Sequence, residues 1–92
     1  MLEKTIEKQI RSYLDKRPNC WHLKTHGNMF QASGIPDIVG VDRGRFFGIE
    51  IKQPGKKPTE IQKYMLEQIG KAGGIQGVVT STVEVINLLG LC

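Results

Sequence analysis

The chain is poor in several features that mark particular classes of protein. Its 92 residues include two cysteines, Cys20 and Cys92, which are too few for a disulfide framework and belong to no CxxC or Cys/His cluster. No apolar run approaches membrane-spanning length, and the polar amino terminus does not have the form of a signal peptide. Repeats, low-complexity tracts and linkers are also missing. We therefore expect one small domain, residues 1–92, in a reduced cytoplasmic setting and without a membrane partner.

Positively charged residues are only mildly in excess over negatively charged ones. Thirteen Lys and Arg against nine Asp and Glu give a formal net charge of +4. This excess agrees with a polyanionic partner, although a soluble basic protein with no nucleic-acid partner is the alternative. The chain contains no zinc finger, helix-turn-helix or other module that reads bases. If it binds DNA, the shape of the DNA is therefore the expected target.

The segment 34–52 is predicted to form two strands joined by a tight turn. Its second half contains the β-branched and aromatic residues that strands favour, Phe46, Phe47, Ile49 and Ile51. Gly44 permits the positive φ that a hairpin loop requires. If residues 43 and 44 form the loop, counting outward by equal steps along both strands places Asp37 directly opposite Glu50.

Two acids placed opposite each other need a physical reason, because their Cβ atoms would be roughly 5 Å apart and like charges weaken a sheet. Lys52 falls on the same face as Glu50, two residues further along. A divalent cation such as Mg²⁺, which takes carboxylate, water and phosphate oxygens, would supply the reason. Lys52 would then orient an attacking water or stabilise charge on a phosphodiester. Taken singly, Pro-Asp is a common strand entry and Glu-x-Lys is often an exposed charge pair, so the prediction depends on their occurrence together.

These residues resemble a nuclease family. Pro36-Asp37 followed by Glu50-Ile51-Lys52 is similar to the PD-(D/E)xK signature. The wider context, residues 34–37, 50–58, Gln62 and the Gly73-Gly74 turn, resembles the stand-alone VRR-NUC (virus-type replication-repair nuclease) branch over roughly residues 3–80. The resemblance implies a deoxyribonuclease that depends on Mg²⁺ or Mn²⁺ and uses no organic cofactor. It implies that Asp37, Glu50 and the Ile51 backbone carbonyl bind the metal, and that Lys52 positions the nucleophile.

The first helix is predicted from residues that recur at helical spacing through about Lys16: Leu2, Ile6, Ile10, Tyr13 and Leu14. Glu3 and Glu7 lie one turn apart beside this stripe, and an acidic first turn also suits the helix dipole. The resemblance implies that a Glu of this helix belongs to the catalytic set and reaches the metal through a water. Spacing favours Glu7, with Glu3 as the alternative.

A first strand is expected from Cys20 to Thr25, with Trp21 and Leu23 facing the core, although Trp21 could instead stack on a nucleobase. A polar loop, residues 26–33, follows. Phosphate contacts are expected from Lys24, Lys56, Lys57 and Lys63, and His26 and Asn28 could join them. The alternative for Lys56 and Lys57 is a solvated surface turn. We interpret His26 as an ordinary polar loop residue outside the catalytic set.

The second helix is expected to bury Ile61, Met65, Leu66 and Ile69. Thr59 to Gln62 has the form of a capping box, while the resemblance places Gln62 near the active site as a supporting catalytic residue. A fourth strand over residues 75–80 is expected to pair in parallel with that of Glu50 through a right-handed crossover.

A last helix, Thr82 to Leu91 with Ser81 or Thr82 as its cap, is apolar on nearly every side. Such a helix is buried on more than one side, and in so short a chain the second cover would come from another subunit. This pattern predicts a homodimer.

The expected fold class is α/β, a small mixed β-sheet flanked by helices, with an αβββαβ nuclease core and a C-terminal helix. The resemblance implies a structure-selective endonuclease of DNA repair or recombination that cuts branched DNA, namely four-way (Holliday) junctions, as a homodimer. A two-fold dimer suits a two-fold substrate. The alternatives are a nuclease of flaps, ends or plain duplex DNA, and a non-catalytic DNA-binding module. The expected location is the cytoplasm, that of the host if the protein is phage-encoded.

Overall fold

The computed structural model describes residues 1–26 and 33–91. Its elements, in chain order, are α1 (Glu3–Lys16), β1 (Cys20–Lys24), β2 (Ile38–Asp42), β3 (Arg45–Ile51), α2 (Glu60–Lys71), β4 (Ile75–Val79) and α3 (Thr82–Leu89). The predicted αβββαβ core with a C-terminal helix is confirmed. Most of the predicted polar loop, including Asn28, lies outside the described residues, as does Cys92. In the described part of the chain, no helix is both long and apolar enough to cross a bilayer.

The strands form one mixed sheet in the order β1-β2-β3-β4. β1 pairs with β2 and β2 with β3 in antiparallel fashion, and β3 pairs with β4 in parallel through the crossover helix α2. At the hairpin loop Arg43 and Gly44 both have positive φ, 51° and 84°, as a type I′ turn requires. Asp42 faces Arg45 and Ile38 faces Ile49, so the predicted register of the hairpin is confirmed.

The hydrophobic core lies between one face of the sheet and the helices α1 and α3. It consists of Ile6, Ile10, Leu14, Ile38, Phe47, Ile49, Ile51, Val79, Val85 and Leu89. Burial of each large apolar side chain contributes about 1.5–3 kcal/mol. On the opposite face, α2 packs closely over Gly48, where an added Cβ would lie 2.9 Å from Ile69 Cδ1 and 3.1 Å from Pro36 Cγ. A side chain at position 48 would push α2 and Pro36 away from the sheet.

Some predictions of burial were wrong. Trp21 and Leu23 are 59% and 40% exposed, because β1 turns the alternate residues toward α1. Leu2 is exposed since α1 begins one residue after it, and Ile61 is exposed near the start of α2. In α3, Val85 and Leu89 are buried, whereas Val83 remains 64% exposed. Of the two predicted caps, Ser81 and Thr82, the structure uses Ser81, whose hydroxyl accepts a hydrogen bond from the Glu84 N–H.

A buried ion pair that the sequence did not predict joins α1 to the tip of the hairpin. The Arg17 guanidinium donates to both carboxylate oxygens of Asp42, with Nε–Oδ1 at 2.7 Å and Nη2–Oδ2 at 3.1 Å. Both side chains are almost fully buried. Arg17 also donates to the Tyr13 hydroxyl and to the Leu89 carbonyl at the end of α3. The hydrogen bonds from Arg17 lower the pKa of Asp42 below its ordinary value. Through the same guanidinium group, Arg17 joins α1 to the hairpin and to the end of α3.

Candidate active site

Asp37 and Glu50 come together where the ladder between β2 and β3 ends. The last paired residues are Ile38 and Ile49, and beyond them the Ile51 N–H donates to Asp37 Oδ2 at 2.8 Å. The backbone of Asp37 is fixed from its other side, because its carbonyl accepts a hydrogen bond from the Thr25 N–H at 2.9 Å. Asp37 is therefore oriented by hydrogen bonds to its side chain and to its main chain.

Glu50 lies next to Asp37 and is 1% exposed. Among the described residues, its Oε2 atom has no hydrogen-bond partner. Burial raises the pKa of Glu50 to about 8, the neighbouring Asp37 carboxylate contributes to the increase, and the positive charge of Lys52 opposes it. A buried carboxylate beside a second acid is unfavourable unless a cation or a proton neutralises it.

Comparison with known proteins gives matches at the level of structure. No family model matches the sequence, and no curated protein matches it. A solved structure named "VRR_NUC domain" matches with a TM-score of 0.76 and 25% sequence identity, over 94% of this chain and 91% of that chain. A second, "VRR_NUC domain protein", matches with a TM-score of 0.73 and 18% identity, over 95% of this chain and 84% of that chain. The chain has the VRR_NUC fold.

The VRR_NUC fold confirms the resemblance and the fold class that the sequence predicted, and it supports a nuclease domain. In this fold the acids Asp37 and Glu50 lie where β2 and β3 part, and Lys52 follows directly after β3. The two acids and Lys52 thus come from the same end of one hairpin, and the positive charge of Lys52 opposes the rise in the pKa of Glu50.

The oxygen atoms of this site fit a hard divalent cation such as Mg²⁺ or Mn²⁺. Such ions bind to one or two carboxylates and complete an octahedron with water and substrate oxygens. The unpartnered Oε2 atom of Glu50 offers one such ligand. Within residues 1–26 and 33–91 no group of three His, Cys, Asp or Glu side chains could hold an ion on its own. A two-carboxylate site of this kind suits an ion whose remaining ligands are water and phosphate oxygens.

The two candidate acids of α1 have different surroundings. The Glu7 Oε2 atom lies 3.3 Å from Lys24 Nζ and 3.9 Å from an Arg11 guanidinium nitrogen, so ion pairs occupy its carboxylate. The negative charge of Glu3 makes the smallest contribution to the raised pKa of Glu50. Glu7 and its alternative Glu3 thus differ in that ion pairs occupy the Glu7 carboxylate.

Gln62 begins the second helix in a capping box, as the sequence predicted. The Thr59 N–H donates to Gln62 Oε1 at 2.8 Å, and the Gln62 N–H donates to the Thr59 hydroxyl at 3.3 Å. This reciprocal pair satisfies two backbone donors at the start of α2. The side-chain oxygen of Gln62 is therefore engaged in the helix cap.

The four lysines expected to contact DNA fall into two groups. Lys56 and Lys57 are exposed on the loop between β3 and α2, where the ion pairs of the described residues do not include them. Lys63 lies 3.4 Å from a Glu60 carboxylate oxygen, and Lys24 pairs with Glu7 as described above. The loop lysines are thus the more accessible of the expected phosphate contacts.

Thr25 is a residue of this site that the sequence analysis did not identify. Its hydroxyl donates to the Pro36 carbonyl at 2.6 Å, and its N–H donates to the Asp37 carbonyl. The pairing of Lys24 with Ile38 would have located it, because the next step outward brings residues 25 and 37 together. This register was not predicted, since the loop that joins β1 to β2 is too long to fix it.

Proposed function

We propose that this protein is a divalent-metal-dependent DNA endonuclease with Asp37, Glu50 and Lys52 at its catalytic centre. The observation that carries the proposal is the meeting of two carboxylates, one of them buried with an unpartnered oxygen, at the end of the catalytic hairpin of a VRR_NUC fold. A cation between them would relieve their repulsion and bind a substrate phosphate at the same point.

In this mechanism Asp37 and Glu50 would hold Mg²⁺ or Mn²⁺, and the Ile51 carbonyl would provide a third protein ligand. When bound, such an ion polarises the phosphodiester and makes a water more acidic. The hydrogen bond from the Ile51 N–H fixes the orientation of the Asp37 carboxylate. Lys52 would orient the attacking water and stabilise the negative charge that develops on the phosphate oxygens. Of Glu7 and its alternative Glu3, Glu3 would hold a further water near the acids, because ion pairs occupy the Glu7 carboxylate.

The substrate that we propose is branched DNA, in particular a four-way junction of the kind formed in recombination and repair. A junction has two-fold symmetry, which suits a homodimer with one centre in each subunit. The exposed Val83 side chain on α3 supports a second subunit, and the exposed Lys56 and Lys57 support contacts with the phosphate backbone. The small number of cysteines agrees with activity in the cytoplasm, that of a host cell if the protein is phage-encoded.

The experiment that tests this function is a cleavage panel with a synthetic four-way junction, a flap and a linear duplex, each with Mg²⁺, Mn²⁺ or EDTA. We expect metal-dependent cutting of the junction, reduced about 100-fold or more by Lys52→Ala while folding and junction binding are retained. Lys71→Ala, at the exposed end of α2, is the matched control and should cut normally. Equal cutting of the linear duplex would exclude junction selectivity, and no cutting with either metal would exclude the enzyme.

A further inference from the structure

An open groove of about 560 Å³ lies along α1 and is closed on one side by β1. Its lining residues are Lys4, Glu7, Lys8, Arg11, Ser12, Asp15 and Lys24. Four of them are basic and two are acidic, so the groove has an excess of positive charge. None of the α1 residues in this set belongs to the buried stripe that faces the core. The function of these cations is therefore not explained by the packing of the helix.

Both acids of the groove have a partner, whereas two of its lysines have none among the ion pairs of the described residues. Asp15 Oδ1 lies 2.7 Å from His22 Nε2, and Glu7 pairs with Lys24 and Arg11. Among the ion pairs of residues 1–26 and 33–91, none includes Lys4 or Lys8. Both of these lysines are exposed. The groove thus presents unneutralised ammonium groups to an anionic ligand.

The spacing of the cations matches a polyanion with a regular repeat. Lys4, Lys8 and Arg11 follow one another at helical intervals on one face of α1. The helical rise separates Lys4 from Lys8 by about 6 Å and Lys4 from Arg11 by about 10.5 Å along the axis. One strand of a DNA duplex carries a phosphate about every 3.4 Å along its axis, so these intervals correspond to about two and three phosphate steps.

The groove also reaches toward the candidate active site through Lys24, which lines it. Lys24 pairs with Ile38, and the next residue, Thr25, donates its N–H to the Asp37 carbonyl at 2.9 Å. A strand backbone that lies in the groove would therefore lead toward Asp37. The loop lysines Lys56 and Lys57 directly follow the hairpin that bears the acids, and they would provide a separate backbone contact.

We propose that the α1 groove binds the sugar–phosphate backbone of the DNA substrate, with Lys4, Lys8 and Arg11 contacting phosphates of one strand. The inference rests on the proposed function and adds a binding surface to it, away from the catalytic hairpin. Contacts of this kind position a substrate without reading its sequence, and each releases counterions. The groove should therefore contribute a salt-dependent part of the affinity that is the same for any base sequence.

The test measures equilibrium binding of a fluorescent four-way junction, and of a duplex of matched length, in EDTA over a series of salt concentrations. The variants are Lys8→Gln and the double variant Lys4→Gln/Lys8→Gln, and Lys71→Gln is the control for loss of one exposed helical lysine. We expect the slope of log K against log salt to decrease in magnitude by about 0.9 per groove lysine, or about 1.8 for the double variant. Lys71→Gln should leave the slope unchanged.

Binding and cleavage separate this inference from the proposed function. If the protein cuts junctions but the double variant keeps the parent slope, the groove does not bind the backbone and the enzyme assignment stands. If no metal supports cutting but the slope falls as expected, the groove binds DNA and the enzyme assignment is wrong. An equal decrease in slope for Lys71→Gln, or no binding by the parent protein at about 50 mM salt, would contradict the proposal that the groove binds the DNA backbone.

Discussion

At the residue scale, Glu50 is the position where stability and chemistry conflict most directly. An apolar residue there would suit a strand whose neighbours Ile49 and Ile51 are fully buried. The chain instead buries a carboxylate next to Asp37, with one oxygen unpartnered among the described residues. Departures of this kind from simple packing are expected at functional sites, where stability is lost in favour of a ligand.

The raised pKa of Glu50 predicts how stability depends on pH. The folded protein keeps a proton up to about pH 8 that the unfolded chain releases near pH 4.5, so the parent protein loses stability as the pH rises through this interval. Glu50→Gln has no such proton to lose. In EDTA, the difference in free energy of unfolding between Glu50→Gln and the parent should therefore increase by about 2–4 kcal/mol from pH 5 to pH 8 in favour of the variant. Urea unfolding at the two pH values measures this difference. Glu67→Gln, exposed on α2, is the control, and an equal difference at both pH values for Glu50→Gln would contradict the prediction.

The sequence predicted which acids of the hairpin meet, because the period of a strand and a two-residue turn together fix the register. The choice between Glu3 and Glu7 did not follow in the same way. Both residues lie on the polar side of α1, and the pairing of Glu7 with Lys24 depends on how the helix packs against β1, which no spacing rule gives.

At the scale of elements, the contact between Arg17 and Asp42 holds α1 against the hairpin. Arg17→Met would leave the Asp42 carboxylate buried without its main partner, and we expect a loss of about 3–5 kcal/mol in free energy of unfolding at pH 7. In Arg17→Met/Asp42→Leu no buried charge remains, so at least about 1 kcal/mol of the loss should return. Urea unfolding of the three proteins checks this, and a double variant less stable than Arg17→Met would contradict it.

The same contact predicts behaviour in acid. Because the pKa of Asp42 is lowered in the folded protein, the ion pair contributes fully above the ordinary pKa of an aspartate and is lost as the pH falls below it. The sequence did not indicate the pair, since its members are 25 residues apart and no spacing rule joins the end of a helix to the tip of a hairpin.

Gln62 allows the helix cap to be separated from the chemistry. Gln62→Glu keeps an oxygen for the Thr59 N–H, so we expect stability and junction cutting close to those of the parent. Gln62→Ala should cost about 1 kcal/mol in free energy of unfolding, with cutting unchanged once the folded fraction is equal. Urea unfolding and single-turnover cleavage measure the two effects. A large loss of cutting in Gln62→Glu at normal stability would instead show that the amide group acts in the active site.

The sequence did not determine which alternate residues of β1 face inward. Either alternate set of residues satisfies a period of two, and the size of Trp21 favoured an inward position. The structure turns His22 inward, where it meets Asp15 of α1, and leaves Trp21 beside the half-exposed Val41. Contacts with another element decided the phase, and no local pattern in β1 contains that information.

At the scale of the whole molecule, the topology followed from a few general rules. The tight turn gives the antiparallel pair of β2 and β3, and the strand–helix–strand unit gives the parallel pair of β3 and β4. The pairing of β1 with β2 across the long connection between them was not predicted. The end of α3 did not follow from these rules. The helix stops at Leu89 because Gly90 adopts φ of 89° and its N–H closes the last turn onto Ile86, which leaves Leu91 beyond the helix and exposed.

The exposed apolar residues of α3 bear on the oligomeric state. With Val83 64% exposed, we expect sedimentation equilibrium at micromolar concentration to give about twice the 10.3 kDa mass of the chain. Val83→Glu should shift the protein toward monomer by placing a charge in the interface. Gln68→Glu, exposed on α2 and away from the Val83 face of α3, adds the same charge as a control. A monodisperse monomer of the parent protein would count against the homodimer.

Gly48 has a consequence for how loss of activity should be interpreted in this protein. It has no functional group and lies two residues from Glu50, but the space above it is filled by Ile69 and by the ring of Pro36, whose carbonyl carbon is bonded to the nitrogen of Asp37. Even a methyl group at this position would press on Ile69 and on that ring, so one of them would have to shift. A loss of activity in a Gly48 variant should therefore be attributed to displacement of the residue before Asp37, and not to a chemical role of position 48.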